Sequence, residues 1–346
     1  MKQTVVITKK LLEFSKKGDK GSFLRLVRDS DILKKVQHED PMGSALLMYS
    51  FSSLKIKDTV FWEELEAGFL KNVPLMNAID LSMCAWGLCK TGRNSSLVWK
   101  ALEENFNKNF LKMEVPKSAA MISYSFAVMG KTSQKVWDQL EYVVLQLADK
   151  FKGFELSIVA WSFARMKKGS KTLWSALEKQ AVRVVTEDDI SVSTMILPSI
   201  TVAGYDCHKL CAHFESIILK IPRNKLKIID LQQITWAMMK QNQGSKQFWE
   251  KMSDFVSAAA KDMTVLEIAS FILIFQLSNK GTKTLWDSLF DRMTYLVNQY
   301  PEQIDCDVLL TYALVLNSQG QTQIRKELDR ELVKMFISKL ITKKSF

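Results

Sequence analysis

The chain is poor in residues that interrupt regular structure. Its 346 residues include only 13 glycines and 6 prolines. That is too few for the many tight turns of an all-β fold, so helices joined by short connections are expected. Histidine occurs three times, which leaves little material for acid–base or zinc chemistry. Five cysteines exclude a disulfide scaffold and suit a reducing compartment. No uncharged apolar run reaches the length of about 18 residues that a membrane-spanning helix needs, so no membrane insertion is expected. What remains is ordinary globular material, 47% hydrophobic and 25% charged, with enough apolar surface to fold. Lys+Arg 48 against Asp+Glu 37 leaves +11, a surplus that favours an anionic partner.

The nine tryptophans expose an internal repeat. They fall in two columns that advance by 37–39 residues. The first reads Tyr49, Trp86, Tyr124, Trp161, Pro198, Trp236, Leu273, Tyr312. The second reads Trp62, Trp99, Trp137, Trp174, Cys211, Trp249, Trp286, Arg325. Neighbouring columns agree. A mostly small residue follows the first column (Ser50, Gly87, Ser125, Ser162, Ser199, Ala237), then an apolar one (Phe51, Leu88, Phe126, Phe163). Glu66, Glu103, Glu141, Glu178 and Glu215 recur four residues after the second column.

Each unit reads as two helices, A and B. In the fourth unit helix A is expected over roughly 155–166. Asp80, Ser118, Glu155, Asp230 and Glu267 open helix A and suit the positive end of its dipole. The turns Gly169-Ser170-Lys171-Thr172, Gly244-Ser245-Lys246-Gln247 and Gly281-Thr282-Lys283-Thr284 are expected to end helix A at the glycine and cap helix B with Ser or Thr. A two-helix unit cannot bury its apolar face alone. Neighbours must stack, and the fold class expected is all-α: a right-handed α-solenoid of about eight two-helix repeats. Residues 41–330 carry the repeats as one solenoid. Residues 1–40 and 331–346 are expected to form helical caps. Repeated tryptophan at helical spacing reads as packing. Pro198 predicts a distorted or shortened helix near Ile196–Ile200 and a change of superhelical curvature.

Catalytic chemistry is not expected. The Gly-Ser-Lys-Thr turns lack the second glycine of a phosphate-binding loop and follow a helix, not a strand. Cys207, His208, Cys211 and His213 lie close in sequence, yet Cys211 occupies a buried column and the histidines point elsewhere. Buried free thiols are the simpler reading, and no metal or cofactor is expected. Paired carboxylates such as Glu63–Glu64 and Asp188–Asp189 read as solvated faces. Two sets of residues are left as binding candidates. The A–B corners carry cations at repeat spacing, among them Arg93, Lys131, Lys168, Lys171, Lys246 and Lys283, a row able to follow a phosphate backbone or simply a solvated lysine edge. On helix A, Ser82, Ser157, Thr194 and Gln232, together with Gln233, vary between constant columns, as a one-repeat-per-base reader requires. Small residues at a helix contact are the plainer account of the serines.

The segment Trp161-Ser162-Phe163-Ala164-Arg165-Met166, followed by Leu173-Trp174-Ser175-Ala176-Leu177-Glu178, resembles the heptatricopeptide and octotricopeptide repeats. The 37-residue majority spacing is closer to the former, and the Pro-Pro-x-Tyr motif of the latter is absent. The resemblance covers about residues 42–330. It implies an α-solenoid that binds organellar single-stranded RNA, acting on mRNA or rRNA in stability, processing or translation, including as a component of the mitochondrial ribosome. A mitochondrial location rests on the resemblance, because residues 1–12 contain Lys2, Lys9 and Lys10 but neither the Arg nor the Ser of a transit peptide. Many relatives end in a nuclease-like RAP domain; the residues after the last unit are too few for one, so cleavage is not expected. The alternative is a protein-binding α-solenoid, a scaffold subunit of a larger organellar complex. A positive track along the concave face favours RNA, and an apolar groove favours protein.

Overall fold

The structure is a computed structural model that describes residues 2–36 and 40–300. Within those residues it is all-α, with no strand. The eighth repeat, with Tyr312 and Arg325, and the expected C-terminal cap lie outside the described residues. The chain divides into two compact units, Met1–Val184 with Val202–Tyr205, and Val185–Thr201 with Asp206–Phe346.

The first unit opens with α1 (Lys2–Lys17), α2 (Lys20–Ser30) and the short α3 (Ile32–Lys35). These helices cap the array. Helix α1 packs on the first A helix, and the Phe23 ring meets Phe51 edge-on at 5.0 Å. Four helix pairs follow: α4 (Pro41–Ser53) and α5 (Thr59–Asn72), α6 (Ala78–Thr91) and α7 (Ser96–Asn109), α8 (Pro116–Val128) and α9 (Gln134–Gln146), α10 (Gly153–Arg165) and α11 (Lys171–Val184). A packs on A and B on B along the stack. This is the stacked helical-repeat architecture expected from the two columns.

Local chemistry sets each boundary. Asp80 and Glu155 sit at the third helical position, where each carboxylate accepts the backbone N–H three residues back, that of Asn77 (3.4 Å) and of Lys152 (3.1 Å). This is the reciprocal half of a capping box. It also explains why α10 begins at Gly153, two residues before the expected start. Helix A ends on a left-handed residue at repeat spacing: Lys55, Gly92, Gly130, Lys167, Gly204, Asn242, Asn279. The next N–H donates back into the last turn, as Lys131 N does to Phe126 O (2.9 Å) and Lys168 N to Phe163 O (3.0 Å). The expectation that Gly169, Gly244 and Gly281 end the helix is therefore corrected. Lys167, Asn242 and Asn279 end it two residues earlier, and the glycines have a different role. At Gly244 φ is +100°, and an added Cβ would lie 2.7 Å from Trp249 Nε1; the glycine makes room for the tryptophan. Ser170, Ser245 and Thr282 do cap helix B through their hydroxyls.

The small column lies where A helices cross. A Cβ on Gly87 would come within 2.7 Å of the Met48 carbonyl, so α6 touches the backbone of α4. Ser125 and Ser162 turn their hydroxyls onto carbonyls of their own helix, at 2.7 Å each, and add no unsatisfied polar group.

The second unit contains α12 (Ile190–Ser193), α13 (Ile196–Val202) and α14 (His208–Ile218), then the pairs α15 (Ile228–Lys240) with α16 (Lys246–Ala259) and α17 (Val265–Ser278) with α18 (Lys283–Gln299). The fifth helix A is broken, as Pro198 predicts. A turn at Thr194–Met195 separates α12 from α13, and Pro198 becomes the third residue of a fresh helix. There its missing N–H is one of the first-turn donors that need no intrahelical partner.

Candidate nucleic-acid interface

The two aromatic columns have different fates. The second is core: Trp62, Trp99 and Trp137 are fully buried. Each indole N–H donates to the carbonyl six residues earlier, at the A–B corner: Trp62 to Ile56 (2.7 Å), Trp99 to Arg93 (2.9 Å), Trp137 to Lys131 (2.8 Å), Trp249 to Gln243 (3.2 Å). The column therefore staples the corner as well as filling the core. The first column is only half-buried. Both columns pack between neighbouring repeats, but the first keeps part of its ring surface exposed.

In the first unit the first column forms a continuous ladder across α6, α8 and α10. The Trp86 and Tyr124 rings lie 5.1 Å apart, and Tyr124 and Trp161 5.4 Å, all tilted. Lys90 Nζ sits 4.5 Å from the Trp86 centroid and 4.7 Å from that of Tyr124. The Arg165 guanidinium lies 5.3 Å from Trp161, and its Nε donates to the Ala127 carbonyl of the preceding A helix (3.3 Å). Exposed apolar side chains from the first turns, Met42, Ile79 and Phe154, extend the same face. The exposed charged residues of α4, α6, α8 and α10 are Lys90, Lys117 and Arg165, all cations. The result is a face of π-surfaces edged with positive charge, the combination that single-stranded nucleic acids meet in sequence-tolerant sites. Its sequence signal was legible. The A helices are apolar almost all round, whereas the B helices are amphipathic, so part of the apolar surface of A is left for something other than the core.

The corner cations are placed less freely than a phosphate-tracking row requires. Arg93 Nε bonds Glu66 at 2.7 Å and is largely buried. Lys131 reaches Asn94 at 2.9 Å and lies over Trp99. Burial lowers its pKa, opposed by Glu103, whose own carboxyl is raised by burial. Lys168 bonds Gln134. These three tie one repeat to the previous one. Lys246 pairs with Glu250 at 3.7 Å. Lys171 and Lys283 are exposed at the start of helix B. The phosphate-loop-like turns already hold an anion from the protein itself: Glu141 accepts from Ser170 N (3.2 Å) and its hydroxyl, and Glu215 accepts from Ser245 N (3.2 Å). Glu66, Glu141 and Glu215 of the recurring glutamate column thus tie neighbouring repeats together.

The candidates on helix A divide. Ser82, Ser157 and Thr194 are buried. Ser82 donates to Ile79 O (2.8 Å), Ser157 to Gly153 O (2.8 Å) and Thr194 to Asp230 (3.1 Å). Their reading as ligand contacts is corrected: they lie in helix–helix contacts, where small side chains are needed. Gln232 and Gln233 instead line a groove of about 450 Å³ in the second unit. Missed by the sequence reading were buried polar ties from helix B to the preceding linker, such as Asn105 to Val73 O and Gln180 to Phe151 O (2.8 Å). Their repeat position is shared by Gly68 and Val143, so no column marks them.

Cys84, Cys89 and Cys211 are free thiols, and all three are buried, as is Cys207. His208 faces Asp206 (2.9 Å) and His213 the Val185 carbonyl (2.8 Å). Among the described residues no group of His, Cys, Asp and Glu is placed to hold a metal ion, and no helix is long and apolar enough to cross a membrane. Neither the known family models nor the curated proteins match this chain.

Proposed function

We propose that this helical-repeat protein binds single-stranded RNA along the solvent-exposed side of its A helices, without catalysis. The observation that carries the reading is the ladder Trp86–Tyr124–Trp161 with Lys90 and Arg165 at its faces. Bases stack on aromatic rings regardless of identity, and cations hold the phosphates between them. The organellar setting, with mRNA or rRNA as target and the mitochondrial ribosome as one place of action, comes from the resemblance to heptatricopeptide repeats and belongs to this proposal.

The test is fluorescence anisotropy of a labelled, mixed-sequence single-stranded RNA over a salt series. Each phosphate contact contributes roughly 0.7 to the log–log slope on single strands. The double variant Lys90→Glu, Arg165→Glu is expected to flatten the slope by about 1.4 on that basis. Lys171→Glu, Lys283→Glu reports whether the corner row contributes. Absence of binding at about 50 mM salt, where phosphate contacts are strong, sinks the reading.

A protein-binding scaffold is the second reading. It is favoured by the exposed first-turn residues Met42, Ile79 and Phe154, which widen the apolar face beyond what stacking needs. A Phe154→Asp variant that retains RNA affinity but loses a co-purifying subunit would support it.

A further inference from the structure

Among the described residues the ladder of the first unit has no counterpart in the second. There Pro198 and Leu273 occupy the first-column positions on either side of Trp236, and among the described residues no aromatic ring packs on Trp236. One register earlier, Gln233 and Ser270 stand where the first unit has Met83, Met121 and Ile158. Smaller and polar residues beside an unstacked indole leave the groove of about 450 Å³, walled by Pro198, Ile229, Trp236, Leu273 and Leu277. That volume is in the lower part of the range of about 300–1,000 Å³ typical of small-ligand sites.

Two polar features narrow the occupant. Gln233 Oε1 is buried and has no hydrogen-bond partner among the described residues; a buried acceptor without a donor is costly and calls for one. Other buried acceptors also lack partners, among them Gln139 and Gln180, but Gln233 is the one of these that lines the groove. Lys240, exposed, stands at the groove one helical turn after Trp236. The occupant therefore needs a flat face for Trp236, a hydrogen-bond donor for Gln233, and an anion for Lys240. A nucleotide meets all three. Among bases, adenine matches a side-chain amide best, because its exocyclic amine donates to the amide oxygen while the neighbouring ring nitrogen accepts from the amide N–H.

We infer that the groove between α15 and α17 takes one unpaired adenine of the bound RNA, stacked on Trp236, read by Gln233 and held at its phosphate by Lys240. The inference rests on the RNA-binding reading and adds a point of base selectivity to a face that is otherwise sequence-tolerant.

The experiment compares oligouridine with the same oligomer carrying a single adenine, cytosine or guanine at each position in turn, by anisotropy with the full chain. One adenine is expected to tighten binding about tenfold, within what a bidentate amide–adenine pair supplies, with the other bases close to uracil. Gln233→Leu is expected to abolish that gain. Trp236→Leu, which copies the residue at Leu273 and is a substitution the repeat already accommodates, is expected to abolish the gain and also to weaken oligouridine, because any base stacks on an indole. Equal affinity for all four bases, a preference for another base, or an adenine gain that survives in both variants overturns the groove assignment while the RNA reading stands. Failure of every oligomer to bind overturns both.

Discussion

The two compact units use the same repeat and differ at the first aromatic column. In the first unit successive rings touch at 5.1 and 5.4 Å, and α6, α8 and α10 present one unbroken surface. Over the described residues of the second unit the column reads Pro198, Trp236, Leu273, and an open groove replaces the ladder. The second column also changes there, with Cys211 in a tryptophan slot, yet Cys211 is fully buried. The contrast shows that the two columns answer to different demands. The second must fill a core whatever residue supplies the volume. The first faces outward, so its substitutions alter a surface rather than collapse a fold.

The sharpest way to break this comparison is to truncate one tryptophan from each column. Trp137→Ala empties a fully buried site and is expected to cost about 3–5 kcal/mol, read as a lower urea midpoint. Trp161→Ala removes a half-buried ring and is expected to cost roughly half as much, because less area and no comparable cavity are involved. Equal costs would place both columns in the core and remove the surface argument.

Corner glycines give a second contrast. Gly244→Ala puts a Cβ 2.7 Å from Trp249 Nε1 and 2.8 Å from Phe248 Cδ1, at φ +100°. It is expected to destabilise by about 2–3 kcal/mol, near the upper end of local backbone strain. Gly130→Ala meets open space at φ +64°, and its cost is expected to be only the left-handed penalty of about 1 kcal/mol. Thermal unfolding of the pair distinguishes steric from conformational demand.

A third test uses Asp80, whose carboxyl is raised above its ordinary 3.8 chiefly by burial, against the Asn77 backbone N–H. A raised native value means that the folded state binds the proton more tightly than the unfolded chain. Stability from this group is then greatest below about pH 3.8 and declines as pH rises through the raised native value. Asp80→Asn is expected to flatten that decline, so thermal midpoints of the two proteins should diverge in favour of Asn as pH rises from 3.8 towards neutrality.

The smallest effect is expected at Pro198→Ala. Because the chain has already restarted as α13 at Ile196, the proline breaks no intrahelical bond, and stability is expected to move by less than about 1 kcal/mol. A gain of about 3 kcal/mol, the cost of an interior proline, would show that the break is imposed by the proline alone.

Much of this architecture was legible in the letters. Nine tryptophans in two columns fixed the pairing of helices, because a residue that large recurs at one spacing only when each copy meets the same neighbours. Glu155 and Asp230 marked helix starts through a capping geometry that is local. The candidate interface was harder. Ser82, Ser157 and Thr194 vary as a code would, but they vary inside a helix contact. Arg93, Lys131 and Lys168 recur as a phosphate track would, but they are drawn onto Glu66, Asn94 and Gln134 of the preceding repeat. Both confusions arise because repeat spacing equates residues along the chain and does not say which of them face solvent.

Interactions within a few residues, and the demand of apolar area for cover, made the unit readable from the letters: its length, its two helices, their N-terminal caps and the break near Pro198. Only the tertiary structure decided which aromatic column is core and which is surface, and which charges are spent on neighbouring repeats. It also decided that a run of three residues, Pro198, Trp236 and Leu273, opens a groove where the first unit has a ladder. Those outcomes depend on what stands across the gap from each side chain, and in a stacked array that partner belongs to another repeat, about 37 residues away.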